Sequence, residues 1–164
     1  MSAPEAGDLA PEFALPDETG TLHRLSDQRG RWIVVYFYPA DDTPGCTIES
    51  CQFRDIDPQI RAASAEVWGI SPDGAASHAR FREKFDLPFT LLSDEEHLVS
   101  TLYGAWRLRS LYGKESMGIQ RSTFLVDPEG LIERAWPKVR ADGHATDVLT
   151  AIEDARSARA ASGR

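Results

Sequence analysis

Residues 32–46 read WIVVYFYPADDTPGC, and the fold follows from them. Residues 32–38 are apolar on both faces and rich in β-branched and aromatic side chains. That pattern predicts a strand buried on both sides, the centre of a sheet covered by helices. Pro39 ends it. A polar loop, Asp41-Asp42-Thr43-Pro44-Gly45, comes next. Thr43 is suited to cap a helix and Pro44 to be its first residue. The helix is predicted to carry Cys46 in its first turn and to run towards Asp57, with Pro58 breaking or restarting it.

Working outward, residues 13–15 and 22–25 flank a polar turn at 16–20 and predict a hairpin. Residues 67–70 predict a buried strand, 75–85 a helix, 89–92 a strand and 95–103 a helix. Residues 105–118 are predicted as a long connection rich in basic and aromatic groups. Residues 122–126 and 131–136, around the turn Asp127-Pro128-Glu129-Gly130, predict a second hairpin. A last helix is expected over 145–159. Strands alternating with helices give an α/β class, and the closing hairpin makes the central sheet mixed. With 164 residues the chain is expected to be one domain, residues 1–164, loose at 1–8 and 158–164.

Twenty-six acidic against 18 basic residues leave a formal net charge of -8. An acidic surface repels phosphate backbones, so nucleic acid is not an expected partner. No apolar run approaches the roughly 20 residues that span a bilayer, so no membrane association is expected. The first residues are acidic and lack the apolar core of a signal peptide, which predicts a cytoplasmic, reducing location. Only two cysteines are present, Cys46 and Cys51. Their closeness is unlike a secreted disulfide framework and calls for a chemical explanation.

A cysteine attacks as its thiolate, whereas a free thiol ionises near pH 8.5. In a first helical turn, unpaired backbone N–H groups point at the sulfur. They favour an anion by roughly 0.3–1 kcal/mol, and at most ~2. Asp41, Asp42 and Glu49 push the other way if they come close. The helix end alone is therefore insufficient, and a cation is expected at the site. Cys46 alone could equally be a buried, inert thiol. Gly45, which lets backbone approach a ligand, and Thr43, which supplies a hydroxyl, favour reactivity. Pro39 is either a strand terminator or a shield for the sulfur.

Cys51 lies five residues on. In an intact helix the two Cα atoms would be roughly 8–9 Å apart on different faces. A disulfide wants less than ~7 Å. A Cys46–Cys51 bond therefore needs the first turns to unwind, which suits a redox switch better than a staple.

Residues 38–55, YPADDTPGCTIESCQFRD, resemble the active-site loop and helix of peroxiredoxins, closest to the peroxiredoxin Q or bacterioferritin comigratory protein subfamily. Residues 112–130, YGKESMGIQRSTFLVDPEG, resemble the same subfamily, and order and spacing agree over nearly the whole chain. The resemblance implies a thioredoxin-like fold and a thiol peroxidase acting on hydrogen peroxide and organic hydroperoxides. It implies that Cys46 is the attacking cysteine, that Pro39 and Thr43 are the loop proline and threonine, and that Arg121 is the activating arginine. Without it, Arg121 would read as a surface charge on a strand. Cys51 matches the resolving cysteine, and Glu49 a residue supporting the loop. The implied cycle ends with reduction by thioredoxin or a similar dithiol and needs no metal or organic cofactor. An internal resolving cysteine removes the need for a dimer, so a monomer is expected. Two departures stand out. Pro58 is expected to shorten the helix, and Ala40 stands where many relatives carry a basic residue.

His23, His78, His97 and His144 have no metal-ligand spacing with the cysteines, and solvated or capping roles are expected for them. Trp68, Trp106 and Trp136 are expected in the core or at its rim. Arg107-Leu108-Arg109 reads as a solvated face. Lys114 is a candidate for the rim of the site. Two rival function classes remain open at this point. A disulfide reductase would prefer a CxxC pair, which is absent. A redox sensor would use the same thiols with little turnover.

Overall fold

The computed structural model describes residues 3–162. Ala14–Pro16 (β1) and Leu22–Arg24 (β2) pair antiparallel as the predicted hairpin. A 3₁₀ turn at Leu25–Gln28 leads into Trp32–Phe37 (β3), every residue of which is buried. Pro44–Ala62 (α1) then crosses to Ala65–Ser71 (β4). Ala75–Phe85 (α2), Thr90–Ser93 (β5) and Leu98–Leu102 (α3) follow. Trp106–Leu111 (β6), Lys114–Ile119 (β7), Ser122–Val126 (β8), Ile132–Trp136 (β9) and His144–Ala161 (α4) complete the chain.

The main sheet has the order β5-β4-β3-β8-β9, with β3 at its centre. β3 and β4 run parallel, as do β4 and β5, whereas β8 is antiparallel to both β3 and β9. Alternate residues of β3 feed two separate cores. Trp32, Val34, Tyr36 and Tyr38 face α1 and α4, with Cys46, Phe53, Ile60, Val148 and Ile152. Ile33, Val35 and Phe37 face Phe13, Trp68, Val99, Tyr103 and Phe124 on the other side. This period-2 division of a doubly buried strand is what the apolar run at 32–38 demanded.

Tyr36 lies against Gly69 of β4, and its hydroxyl and the Ser50 hydroxyl on α1 are 2.8 Å apart. A Cβ at Gly69 would stand 2.8 Å from the Tyr36 ring and 2.9 Å from Leu91 Cδ2. Gly69→Ala is therefore expected to destabilise the fold by about 1–3 kcal/mol through overpacking. Urea unfolding would read this out, and an unchanged midpoint would mean that the core yields without strain.

Four expectations need correction. Pro58 does not break α1, which runs through it to Ala62. An interior proline costs ~3 kcal/mol. Continuing the helix buries Ile60 completely, contributing about 1.5–3 kcal/mol. It also brings Arg61 Nε to Asp57 Oδ2 at 2.6 Å and Arg61 Nη2 to the Pro88 carbonyl at 2.9 Å. Pro58 itself is exposed, so the carbonyl deprived of its helical donor lies on the solvent side.

Secondly, residues 105–118 are not a loose connection. β6 and β7 form a regular hairpin from Trp106↔Ile119 to Leu111↔Lys114. Its two-residue turn, Tyr112-Gly113, has φ of 53° and 76°. Both values are positive, as a tight primed turn requires. Thirdly, α3 starts at Leu98 rather than 95. The buried Asp94 carboxylate, just before the predicted span, accepts the N–H groups of Val99 and Ser100 and so caps the helix at its later start.

Finally, the ends are in part tied down. Gly7 N–H donates to the Ile132 carbonyl and Ile132 N–H to the Asp8 carbonyl, both at 2.8 Å. α4 stays helical through Ala161. Residues 1–2 and 163–164, within the spans expected to be loose, lie outside the described residues. No helix among the described residues is long and apolar enough to cross a membrane.

Candidate active site

Cys46 is the third residue of α1, after Pro44 and Gly45, and is 1% exposed. The preceding loop carries it from the C-terminal end of the central strand into the helix start. Arg121, in the short link from β7 to β8, places Nη2 at 3.4 Å from Cys46 Sγ. Its Nη1 donates to Glu49 Oε1 at 2.8 Å. The cation beside the thiol is thus Arg121, the residue singled out by the resemblance. Gly45 makes the approach possible, because a Cβ there would meet Arg121 Nη2 at 3.0 Å. Arg121 is part-exposed, so the guanidinium reaches from the sulfur to the surface.

Glu49 is fully buried. Burial pushes its carboxyl up to about 7, with Arg121 opposing. For Arg121 burial works against the charge, but the carboxylate of Glu49 and the sulfur of Cys46 outweigh it and raise the pKa. The two groups stabilise each other's charged forms, and one fork serves both the sulfur and the acid.

The acids flanking the thiol are all paired. Asp42 binds Lys84 Nζ at 2.8 Å. Asp41 Oδ2 lies 2.7 Å from His78 Nδ1 and 2.8 Å from Ser77 Oγ, while Oδ1 accepts the Tyr38 hydroxyl at 2.6 Å. His78 is wholly buried, with its Nε2 3.0 Å from the Leu92 carbonyl. A ring with acceptors on both nitrogens satisfies both only as imidazolium. Burial lowers the pKa of His78, but the hydrogen bond and charge of Asp41 exceed that effect and raise it overall. The pair fastens the loop to α2 and β5.

Thr43 occupies the N-cap position, but its hydroxyl does not cap the helix. It donates to the Ala40 carbonyl at 2.8 Å across the loop. With its proton so committed, the oxygen keeps its lone pairs for another donor. Pro39 is part-buried at the end of β3, beside this loop. Cys51 lies two turns along α1, part-exposed, and both cysteines are free thiols. Burial raises the Cys51 pKa, with Arg54 opposing and Asp55 adding. Cys46 and Arg121 are therefore in contact, Thr43 stands at the N-cap of the same helix start, and Cys51 stands off along an intact helix.

Two of the four histidines depart from expectation. His78 and His144 are buried, and His144 Nε2 lies 2.8 Å from Thr123 Oγ1. Burial drives the pKa of His144 down to about 4, with Asp147 opposing. His97 stacks on Trp106 with ring centroids 3.8 Å apart, and His23 contacts Asp17. Lys114 sits exposed at the turn end of the β6–β7 hairpin, paired with Leu111. The Asp41–His78 pair escaped the sequence reading because 37 positions separate its members. Only the buried inward face of α2 could have hinted at it.

A mixed five-stranded sheet between two layers, with an arginine-held cysteine where the central strand meets a helix, is the arrangement of the thioredoxin-like thiol peroxidases. Residues 6–135 match the AhpC/TSA family. The chain belongs to that family and, within it, to the peroxiredoxin Q or Bcp group, whose members are peroxidase oxidoreductases. It is 44% identical to peroxiredoxin Bcp of Bacillus subtilis, over 92% of this chain and 96% of the relative. A peroxiredoxin Q variant from Xylella fastidiosa superposes with a TM-score of 0.88 at 34% identity, covering 95% of this chain and 99% of that one. The bacterioferritin comigratory protein of Xanthomonas campestris gives 0.85 at 36% identity, covering 94% and 98%.

Proposed function

We propose that the chain reduces hydrogen peroxide and organic hydroperoxides through Cys46, with Cys51 as resolving thiol and a thioredoxin-type dithiol as reductant. The contact of Arg121 Nη2 with Cys46 Sγ at 3.4 Å carries this reading. The Xanthomonas relative is described as having alkyl peroxide reduction activity, which supports the organic substrates.

The Cys46 thiolate attacks the terminal peroxide oxygen, the O–O bond breaks, and the leaving alkoxide takes a proton to depart as alcohol or water. The sulfur is left as a sulfenic acid. Arg121 and the N–H groups of the first turn of α1 stabilise the negative charge as it moves from sulfur to oxygen. Thr43 accepts the hydroperoxide O–H through its free lone pairs, and Pro39 screens the sulfur from bulk water. Cys46 has the Arg121 guanidinium beside its sulfur, whereas burial raises the Cys51 pKa in the folded helix, which supports Cys46 as the first to attack. Once α1 opens, the Cys51 thiol condenses with the sulfenic acid, forming the disulfide and releasing water. A dithiol then exchanges with that bond, restoring both thiols and becoming a disulfide itself. This cycle suits a monomer in a reducing compartment such as the cytoplasm.

Protein given one equivalent of peroxide is expected to lose two mass units, with the peptides of Cys46 and Cys51 joined. Cys51→Ser is expected to keep its first oxidation and lose recycling by thioredoxin. Undiminished steady-state cycling in that variant would take the resolving role from Cys51.

A further inference from the structure

The turns of α1 that must open are fastened to the rest of the molecule at points outside the chemistry. Ser50 meets Tyr36 in the core. Gln52, the residue after Cys51, uses both ends of its amide. Its Nε2 donates to Asp142 Oδ1 at 2.6 Å, and its Oε1 accepts the Gly143 N–H at 2.8 Å. Those partners end the loop that leads into α4. The same loop donates the Val139 N–H to the Arg121 carbonyl at 3.0 Å. One loop therefore holds the neighbour of Cys51 and the residue that holds the sulfur of Cys46.

We propose that Gln52 is a positioning residue, a latch that sets how readily the first turns of α1 unwind after oxidation. It thereby sets how a Cys46 sulfenic acid divides between disulfide formation and overoxidation. This rests on the reading that Cys51 resolves. The two cysteines are roughly 8–9 Å apart at Cα in an intact helix, and a disulfide needs less than ~7 Å. As Cys51 swings towards Cys46 its neighbour moves with it, and the Gln52 amide leaves one partner or both. While the latch holds, a second hydroperoxide can oxidise the sulfenic acid to sulfinic acid, itself becoming alcohol or water. Gln52 is hydrogen-bonded to residues 142–143, and the loop it holds meets Arg121 at the backbone carbonyl and not at the guanidinium, so the first oxidation rate is expected to be unchanged in its variants.

The test follows the reduced full-length chain after one equivalent of hydrogen peroxide. Samples are quenched by thiol alkylation over time, and the fraction with joined cysteines is read by mass spectrometry. Gln52→Ala is expected to form the disulfide about three- to tenfold faster than wild type, the effect of losing net hydrogen bonds at a part-exposed site. Asp142→Ala should give a smaller acceleration. Asp142→Asn, which keeps the acceptor oxygen, should behave like wild type. Under excess peroxide the sulfinic fraction should fall as the disulfide rate rises, with the first oxidation rate the same throughout. If Gln52→Ala does not fold, Asp142→Ala against Asp142→Asn carries the same comparison. Disulfide formation at equal or lower rates in the latch variants overturns the latch alone. Absence of the bond in wild type overturns the role of Cys51 and the latch with it.

Discussion

Cys46→Ser protein is expected to consume no hydroperoxide beyond the uncatalysed rate, while folding normally. A hydroxyl remains almost wholly protonated at neutral pH even beside a guanidinium, and it is a far weaker nucleophile than a thiolate. Nor can its oxygen take up a further oxygen as sulfur does on the way to sulfenic acid. The substitution is close in size, and a serine hydroxyl can still accept from Arg121, so the helix start keeps a partner. Peroxide consumption with a dithiol reductant in excess measures the loss, and a thermal melt checks the fold. Wild-type turnover in this variant would move the chemistry to another group.

Arg121→Met should lower kcat/KM for hydroperoxide by about 10²–10³, the usual effect of removing one preorganised donor from a site of developing charge. The effect is expected at the first oxidation, where Arg121 Nη2 faces the reacting sulfur at 3.4 Å. The Glu49 carboxyl, already pushed up to about 7 by burial with Arg121 opposing, would then bind a proton at neutral pH. The variant thus avoids an unpaired buried charge and should fold. Arg121→Lys keeps the charge but not the fork that serves Cys46 and Glu49 together, so it should recover only part of the rate. Single-turnover oxidation of the thiol gives the relevant constant. If it were unchanged in Arg121→Met, the guanidinium would have no part in the reaction.

The central strand, the helix start behind it and the flanking α/β order could be read because residues 32–46 combine a doubly apolar run with its own punctuation. A cation at the thiol could be inferred from magnitudes alone, since a helix end is too weak to hold a thiolate. Its identity came from the resemblance at 112–130 and not from any local pattern around Arg121. The β6–β7 hairpin escaped notice because Tyr112-Gly113 lacks the usual asparagine or aspartate. The strands either side of it also carry charge on one face and exposed Leu108 and Met117 on the other. Pro58 misled because a local rule was overridden by tertiary packing of Ile60. The pairing of Asp41 with His78 and of Gln52 with residues 142–143 joins segments distant in sequence. Only the folded molecule brings such pairs together.

The central sheet keeps its two cores apart, and this governs what opening α1 can disturb. Cys46 and Phe53 pack on one side only, while Phe13, Trp68, Tyr103 and Phe124 pack on the other. Loosening the helix start is then a sub-global event, drawn from the low end of the local stability scale rather than from complete denaturation. In the proposed cycle the opposite half serves as a standing scaffold, so that each round passes through a partly melted state without offering the whole chain to proteases or aggregation.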